Sequence, residues 1–242
     1  MIQNNPKTQL LYSTISDGNM SLVRGDYEET LNNRKTFLKK NNLPLEHTIW
    51  MKTTHESDVH IVTIHDFGNG STDLDSTFPV DSLITNKRGA ILSLVTADCI
   101  PLTLFDQKTN TIALVHVSRH NVNEIIENTI QTMTKNFDTN SKNLKAEIGP
   151  SIGPCCYTWF QGKDLSLEKS YDEFVIIESP TSAKLDLWGL AEKRLQQNGI
   201  ELRNIHNPKI CSFHSGEYFS HRKFDENKLE NDYRFATFFV LK

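Results

Sequence analysis

Residues 89–117 hold three apolar runs in close succession, "GAILSLVTADC", "PLTLFD" and "TIALVHV", and only the polar "QKTN" separates the last two. Runs this short, rich in β-branched residues and bounded by turn signals, read as buried strands. Strands of this kind need other layers to cover them, which restricts the chain to packed sheets and helices. "HTIWMKTTH" and "VHIVTIH" add two strands before them, and "RFATFFVL" adds one at the end. Residues 26–41, "DYEETLNNRKTFLKKN", read as a helix, with acids early and lysines late to suit the helix dipole. Val122, Ile125, Ile126, Ile130, Met133 and Phe137 recur at helical spacing over 121–137. "DLWGLAEKRLQQNG" predicts a third helix, capped by Asp186 and stopped at Gly199. "KAEIGPSIGPCCYTW" reads as a strand running into a Gly/Pro loop, and residues 66–80 as a turn-rich, mobile loop. Strands and helices interleave without a regular βαβ rhythm. The expected fold is α+β (irregular α/β), with mixed β-sheets flanked by helices in a single domain over 1–242.

Charge and composition narrow the function classes. The net charge is −4 and the pI about 6.1, so neither nucleic acid nor an anionic membrane is an expected partner. No apolar window approaches the length of a spanning helix, and "MIQNNPKTQL" lacks the basic and apolar regions of a signal peptide. The cysteines are Cys99, Cys155, Cys156 and Cys211, too few and too oddly spaced for a disulfide framework. A cytoplasmic location with reduced thiols is expected, with Cys155, Cys156 and Cys211 as core residues.

Cys99 ends one apolar run and His116 interrupts another. In a hairpin whose paired numbers add to 215, the two residues face each other, with Cβ atoms about 5 Å apart. Pro101 cannot donate to a ladder and belongs at an edge or bulge. A thiolate and an imidazole that close share a metal or a hydrogen bond. Catalytic zinc commonly takes three Cys/His ligands and keeps a fourth position open. The clustered His55, His60 and His65 are all candidates for the remaining ligand.

Several segments, in order, resemble the laccase-domain family, which is associated with purine nucleoside phosphorylase and adenosine deaminase activities. "VTADCIPLTLFD", "ALVHV", "IGPSIGPCCYTW", "DLWGLAEKRLQQNGIELRNI", "CSFHSGEYFSHRK" and "DYRFATFFVL" carry the likeness, and "NNRKTFL" resembles the family's early helix. The resemblance implies a zinc site on His55, Cys99 and His116, since "WMKTTHESDV" corresponds to the stretch that supplies the first ligand. It implies a purine nucleoside and phosphate as substrates, with phosphorolysis of adenosine, inosine or guanosine and deamination of adenosine. Arg119, Arg222, Lys223 and Arg234 are the cationic candidates for phosphate, because a guanidinium grips phosphate oxygens in pairs. The "GPSIGP" loop either offers backbone N–H groups to an anion or makes a tight turn. Asp98 either orients a zinc-bound histidine or caps a turn.

The chain departs from the family where the third ligand is followed by "VSRHN" instead of "AGWRG". That substitution supports a reading as a catalytically weakened relative that binds zinc and nucleoside; a thiol hydrolase or amidase with Cys99 as nucleophile and His116 as base is a further alternative. The family's fold is shared with bacterial toxins that use such a Cys/His pair. Copper oxidase chemistry is disfavoured, because the chain contains no His-x-His pair and no blue-copper ligand set.

Overall fold

A computed structural model of the chain describes residues 2, 5–160, 173–179 and 182–242. Among these, the strands are β1 (Thr8–Tyr12), β2 (Thr48–Trp50), β3 (Val59–Ile61), β4 (Ser82–Thr85), β5 (Ile91–Thr96), β6 (Ile100–Asp106) and β7 (Thr111–Val117). They continue with β8 (Leu144–Ile148), β9 (Thr158–Phe160), β10 (Val175–Ser179), β11 (Ser182–Leu185), β12 (Ile205–His206) and β13 (Phe235–Leu241). The helices are α1 (Tyr27–Lys40), α2 (Ile125–Phe137), α3 (Leu187–Gln197), α4 (Ser212–Ser215) and α5 (His221–Asn227). No helix among the described residues is long and apolar enough to cross a membrane.

The fold is α+β with mixed sheets. A four-stranded sheet runs β1-β13-β5-β2, a six-stranded sheet β12-β8-β6-β7-β4-β3, and a small one β10-β11-β9. Pairings β2–β5, β3–β4 and β8–β12 are parallel and the rest antiparallel. The two large sheets pack through Leu92, Leu94 and Phe239 on one side and Leu83, Phe105, Ile112 and Leu114 on the other. Leu102, Leu104, Ala113 and Val115 point away from that interface, onto Ile126 and Ile130 of α2 and Leu190 and Leu195 of α3. Phe37 and Leu38 of α1 cover the outer face of the four-stranded sheet against Phe238 and Ile91. With sheet or helix on both sides, β6, β7 and β13 are buried along their whole length, which explains their near-continuous apolar sequence.

The expected helices form where the caps predict. Asp26 accepts from the Glu29 N–H and Asp186 from the Gly189 N–H, and Gly199 has the positive φ of 89° that stops the chain after α3. Residues 66–80 are turn-rich but pinned. Arg34 of α1 lies buried over the Trp50 ring, 3.6 Å from its centroid, and donates to the carbonyls of Met20, Gly70 and Ser71. Burial brings its guanidinium down to about 9. Patterning does not reveal β1 or β4, both short.

The hairpin register differs from expectation by two residues. β6 and β7 pair with numbers that add to 217, so Pro101, not Cys99, faces His116. The reason is the loop: all of "QKTN" lies between Asp106 and Thr111, which centres the turn between residues 108 and 109. Pro101 sits at the start of an interior strand. Its carbonyl accepts from Gly149, so its missing donor falls past Ile148, where the ladder with β8 ends. Cys99 precedes the strand and approaches His116 from the β5–β6 turn.

Candidate metal centre

The C-terminal ends of β2, β5 and β7 lie at one edge of the paired sheets. The loop after β2 carries His55, the turn after β5 carries Cys99, and β7 carries His116 near its end. One ligand atom from each of the three lies within 4.8 Å of the others. The His55 and His116 rings meet edge to face, with centroids 4.9 Å apart. His55 is exposed, Cys99 partly buried and His116 buried. A thiolate and two imidazoles at this spacing fit a zinc-type ion that keeps one position open. His60 instead stacks on Phe78 and meets Asp66, and neither it nor His65 belongs to this group.

Two non-glycine residues beside the centre hold left-handed backbone, His55 at φ 64° and Asp98 at φ 86°. Such conformations persist only where surrounding contacts fix them. For His55 the fixing group is Asp81, which is fully buried. The β4–β7 register pairs Ser82 with Val115, which puts Asp81 opposite His116. The His116 N–H donates to the Asp81 carbonyl at 2.8 Å, and His116 Nδ1 meets Asp81 Oδ1 at 2.6 Å. The same carboxylate accepts the N–H groups of Thr54, His55 and Glu56. One acid therefore sets both the ring of His116 and the loop of His55, and it leaves Nε2 of His116 for a ligand.

Of the two alternatives for Asp98, its contacts fit the capping one. It orients no histidine; its oxygens accept from Ser212 Oγ at 2.7 Å and from the Arg222 N–H at 2.7 Å, tying the Cys99 turn to the first turns of α4 and α5. The "GPSIGP" loop is a structural turn. The N–H groups of Gly149, Ser151, Ile152 and Gly153 go to Pro101 O, Ile210 O, Asp98 O and Cys211 Sγ, leaving none for an anion. Gly153 has no space for a Cβ, which would lie 2.6 Å from the Trp188 ring.

Burial would push the Cys99 thiol up, but the charge and hydrogen bond of His116, helped by His55, outweigh it and hold it at about 6. Burial would lower His116, but Cys99 and Asp81 raise it to about 9. Without metal, the centre is thus a thiolate–imidazolium pair at neutral pH. In chelator-treated protein, iodoacetamide labelling of Cys99, followed by peptide mass spectrometry, is expected to stay fast down to about pH 6 and then fall about tenfold per unit. A midpoint in the ordinary range of about 8.5 would contradict the pairing.

Cys99 opens onto a cleft of about 780 Å³, whose lining includes Asp98, Arg119, Tyr157, Leu187 and Arg222. Burial, then Cys99, pushes the Tyr157 hydroxyl up. Arg222 is anchored by a 2.7 Å bond to the Thr158 carbonyl and lies near the Tyr157 ring. Arg234 does not line the cleft; its guanidinium is engaged by Asp232. Lys223 is also absent from the lining. In the divergent segment, Asn121 accepts from the Ser118 N–H and donates to the carbonyls of Glu56 and His116, bridging the loops of two ligands. Asp81, Tyr157 and Asn121 escaped sequence reasoning. A lone acid before a strand carries no distinguishing pattern, and only the "CCYTW" motif pointed near Tyr157.

The sequence model of the multi-copper polyphenol oxidoreductase laccase family matches residues 10–242. The chain belongs to that family. Among laccase-family relatives, "purine nucleoside phosphorylase YlmD" of Geobacillus stearothermophilus is 29% identical over 213 residues, covering 85% of this chain and 78% of its own. A "purine nucleoside phosphorylase" of Bacteroides thetaiotaomicron is 27% identical over 218 residues, covering 85% and 79%. The crystal structure of YlmD from Geobacillus stearothermophilus superposes with a TM-score of 0.87 at 25% identity, over 98% of this chain and 93% of that one. The Bacillus licheniformis hypothetical protein YfiH shares the fold with a TM-score of 0.86 at 23% identity, over 99% and 98%.

Proposed function

We propose that the chain, as a single laccase-type domain over 1–242, is a purine nucleoside phosphorylase with a zinc ion on His55, Cys99 and His116. The observation that carries this reading is the convergence of those three donors beside a cleft that also holds two arginines and a partly buried tyrosine. The relatives named as phosphorylases support it. Zinc bound there supplies a Lewis acid at the cleft. In the reaction, the glycosidic C–N bond breaks with its electron pair going to the purine, and a phosphate oxygen forms the new bond to C1′. Arg119 and Arg222 hold the phosphate, because their forked donors match its oxygens. The Tyr157 ring offers the purine an aromatic face, and its hydroxyl stays protonated to donate. Asp81 keeps the His116 ring fixed throughout. Deamination of adenosine, in which water replaces the C6 amino group and ammonia leaves, belongs to the same centre.

The test is base release from inosine, guanosine and adenosine with and without phosphate. Turnover is expected to depend on phosphate. Arg119→Ala and Arg222→Ala are each expected to raise KM for phosphate roughly tenfold or more, the worth of one charge-assisted contact. Metal-loaded protein that turns over no nucleoside, or variants with unchanged KM, would defeat the reading.

One geometric feature favours a second reading. Asp81, His116 and Cys99 form a line of acid, imidazole and low-lying thiol, the arrangement of a thiol hydrolase. Metal-free protein that cleaves amides, and loses that activity on alkylation of Cys99, would select it. Zinc and nucleoside binding with no turnover would instead mark a weakened relative, in keeping with the altered segment after His116.

A further inference from the structure

A second set of soft donors gathers where two loops meet. Cys155 and Cys156 close the Gly/Pro loop after β8, and Cys211 and His214 lie 55 or more residues later, at the start of α4 and within it. One ligand atom from each of the four lies within 4.8 Å of the others. All three thiols are free. Cys156 and Cys211 are buried, as expected, but Cys155 is exposed, so packing as a small hydrophobe does not account for it. We propose that Cys155, Cys156, Cys211 and His214 hold a second, structural zinc ion, separate from the His55–Cys99–His116 centre.

The distances suit that ion. Zn–S bonds of about 2.3 Å and Zn–N bonds of about 2.0–2.1 Å in a tetrahedron put sulfur and nitrogen about 3.6 Å apart. His214 Nδ1 lies 3.6 Å from Cys155 Sγ, and Cys156 Sγ lies 3.5 Å from His214 Nδ1 and 3.4 Å from its Nε2. The Gly153 N–H donates to Cys211 Sγ at 3.3 Å, the kind of outer hydrogen bond that orients a metal-binding sulfur. Three thiolates and one imidazole prefer zinc over hard cations. Four protein ligands fill a tetrahedron, so this site is closed, whereas the three-donor centre keeps a position open.

The site would also brace the cleft. Cys156 is followed by Tyr157 and Thr158, which line the cleft. Cys211 is followed by Ser212, whose hydroxyl holds Asp98 beside Cys99. An ion there ties both walls together, adding to the Ser151–Cys211 bridge, the Gly153–Cys211 hydrogen bond and the shared apolar packing of Cys156 and Cys211.

The purified chain, reduced and then loaded with zinc, should carry two ions. Cys99→Ser should carry one, and it should lose that one when Cys155→Ser and His214→Ala are added. Cobalt-loaded Cys99→Ser should show the intense d–d and thiolate charge-transfer absorption of a tetrahedral, sulfur-rich site, and zinc should raise its Tm. Folded, reduced Cys99→Ser that binds neither metal would overturn the proposal, as would a weak octahedral cobalt spectrum or zinc uptake unaffected by the added changes. A Cys155–Cys156 or Cys155–Cys211 disulfide that reforms under reducing conditions would also overturn it. Should wild type hold one ion and Cys99→Ser keep it, the second site stands and the first centre fails; should Cys99→Ser lose it, the reverse holds. Cys155 is exposed, so its variant tests the site even where Cys211→Ser does not fold.

Discussion

Cys99→Ala is expected to lose the metal of the first centre and to cut phosphorolysis by roughly 10³-fold or more. A Lewis acid is worth several kcal/mol of transition-state stabilisation, and each 1.4 kcal/mol or so is a factor of ten. The fold should survive, because Cys99 sits in the turn before β6 and not in the interior of a strand. Its backbone setting is fixed by Asp98, whose carboxylate stays bonded to Ser212 and Arg222 whatever side chain follows. Circular dichroism beside metal content and kcat/KM separates the effects. Full activity of this variant with no metal bound would remove both zinc and the Cys99 thiol from the account.

The second large effect belongs to Asp81, a residue that touches neither substrate nor metal. Asp81→Asn is expected to weaken zinc binding about 10–100-fold, the usual cost of losing a ligand's supporting carboxylate. The chemistry is specific. Oδ1 receives His116 Nδ1 and the His55 N–H, while Oδ2 receives the N–H groups of Thr54 and Glu56 and the Thr54 hydroxyl. Both oxygens face only donors, so an amide always turns its NH₂ against one of them. Asp81→Ala should add a folding cost of about 3–5 kcal/mol, because it strips a fully buried pair of one partner. Zinc competition titration and denaturant unfolding measure the two. Since Asp81 acts by positioning, excess zinc should recover much of the Asn variant's kcat, while Cys99→Ala should stay inactive. An Asp81→Asn protein with unchanged zinc affinity would reduce Asp81 to a structural cap.

How much of this the sequence reveals depends on the range of the interaction. Local signals are legible: Asp26 and Asp186 cap their helices, the apolar runs become β5, β6, β7 and β13, and the Cys99–His116 proximity follows from one hairpin. Cys99 and His116 do lie close together, but not in the register that the spacing predicts. The four-residue turn shifts the pairing by two, and Cys99 meets His116 from outside the ladder. Asp81 stayed hidden because its role comes from β4 lying beside β7, a neighbour relation that no short motif encodes. The cluster at Cys155 and His214 joins segments far apart in the chain, so the adjacent cysteines alone read as core. Arg234 shows the opposite error: arginine suits phosphate in general, but here Asp232, two residues away, holds its guanidinium.

The most direct measurement is anomalous diffraction at the zinc edge from crystals of the metal-loaded chain, grown with inosine and phosphate. The account predicts a peak within bonding distance of His55, Cys99 and His116, with phosphate density against Arg119 and Arg222. Occupied nucleoside in the cleft with no anomalous peak between those three side chains would contradict it.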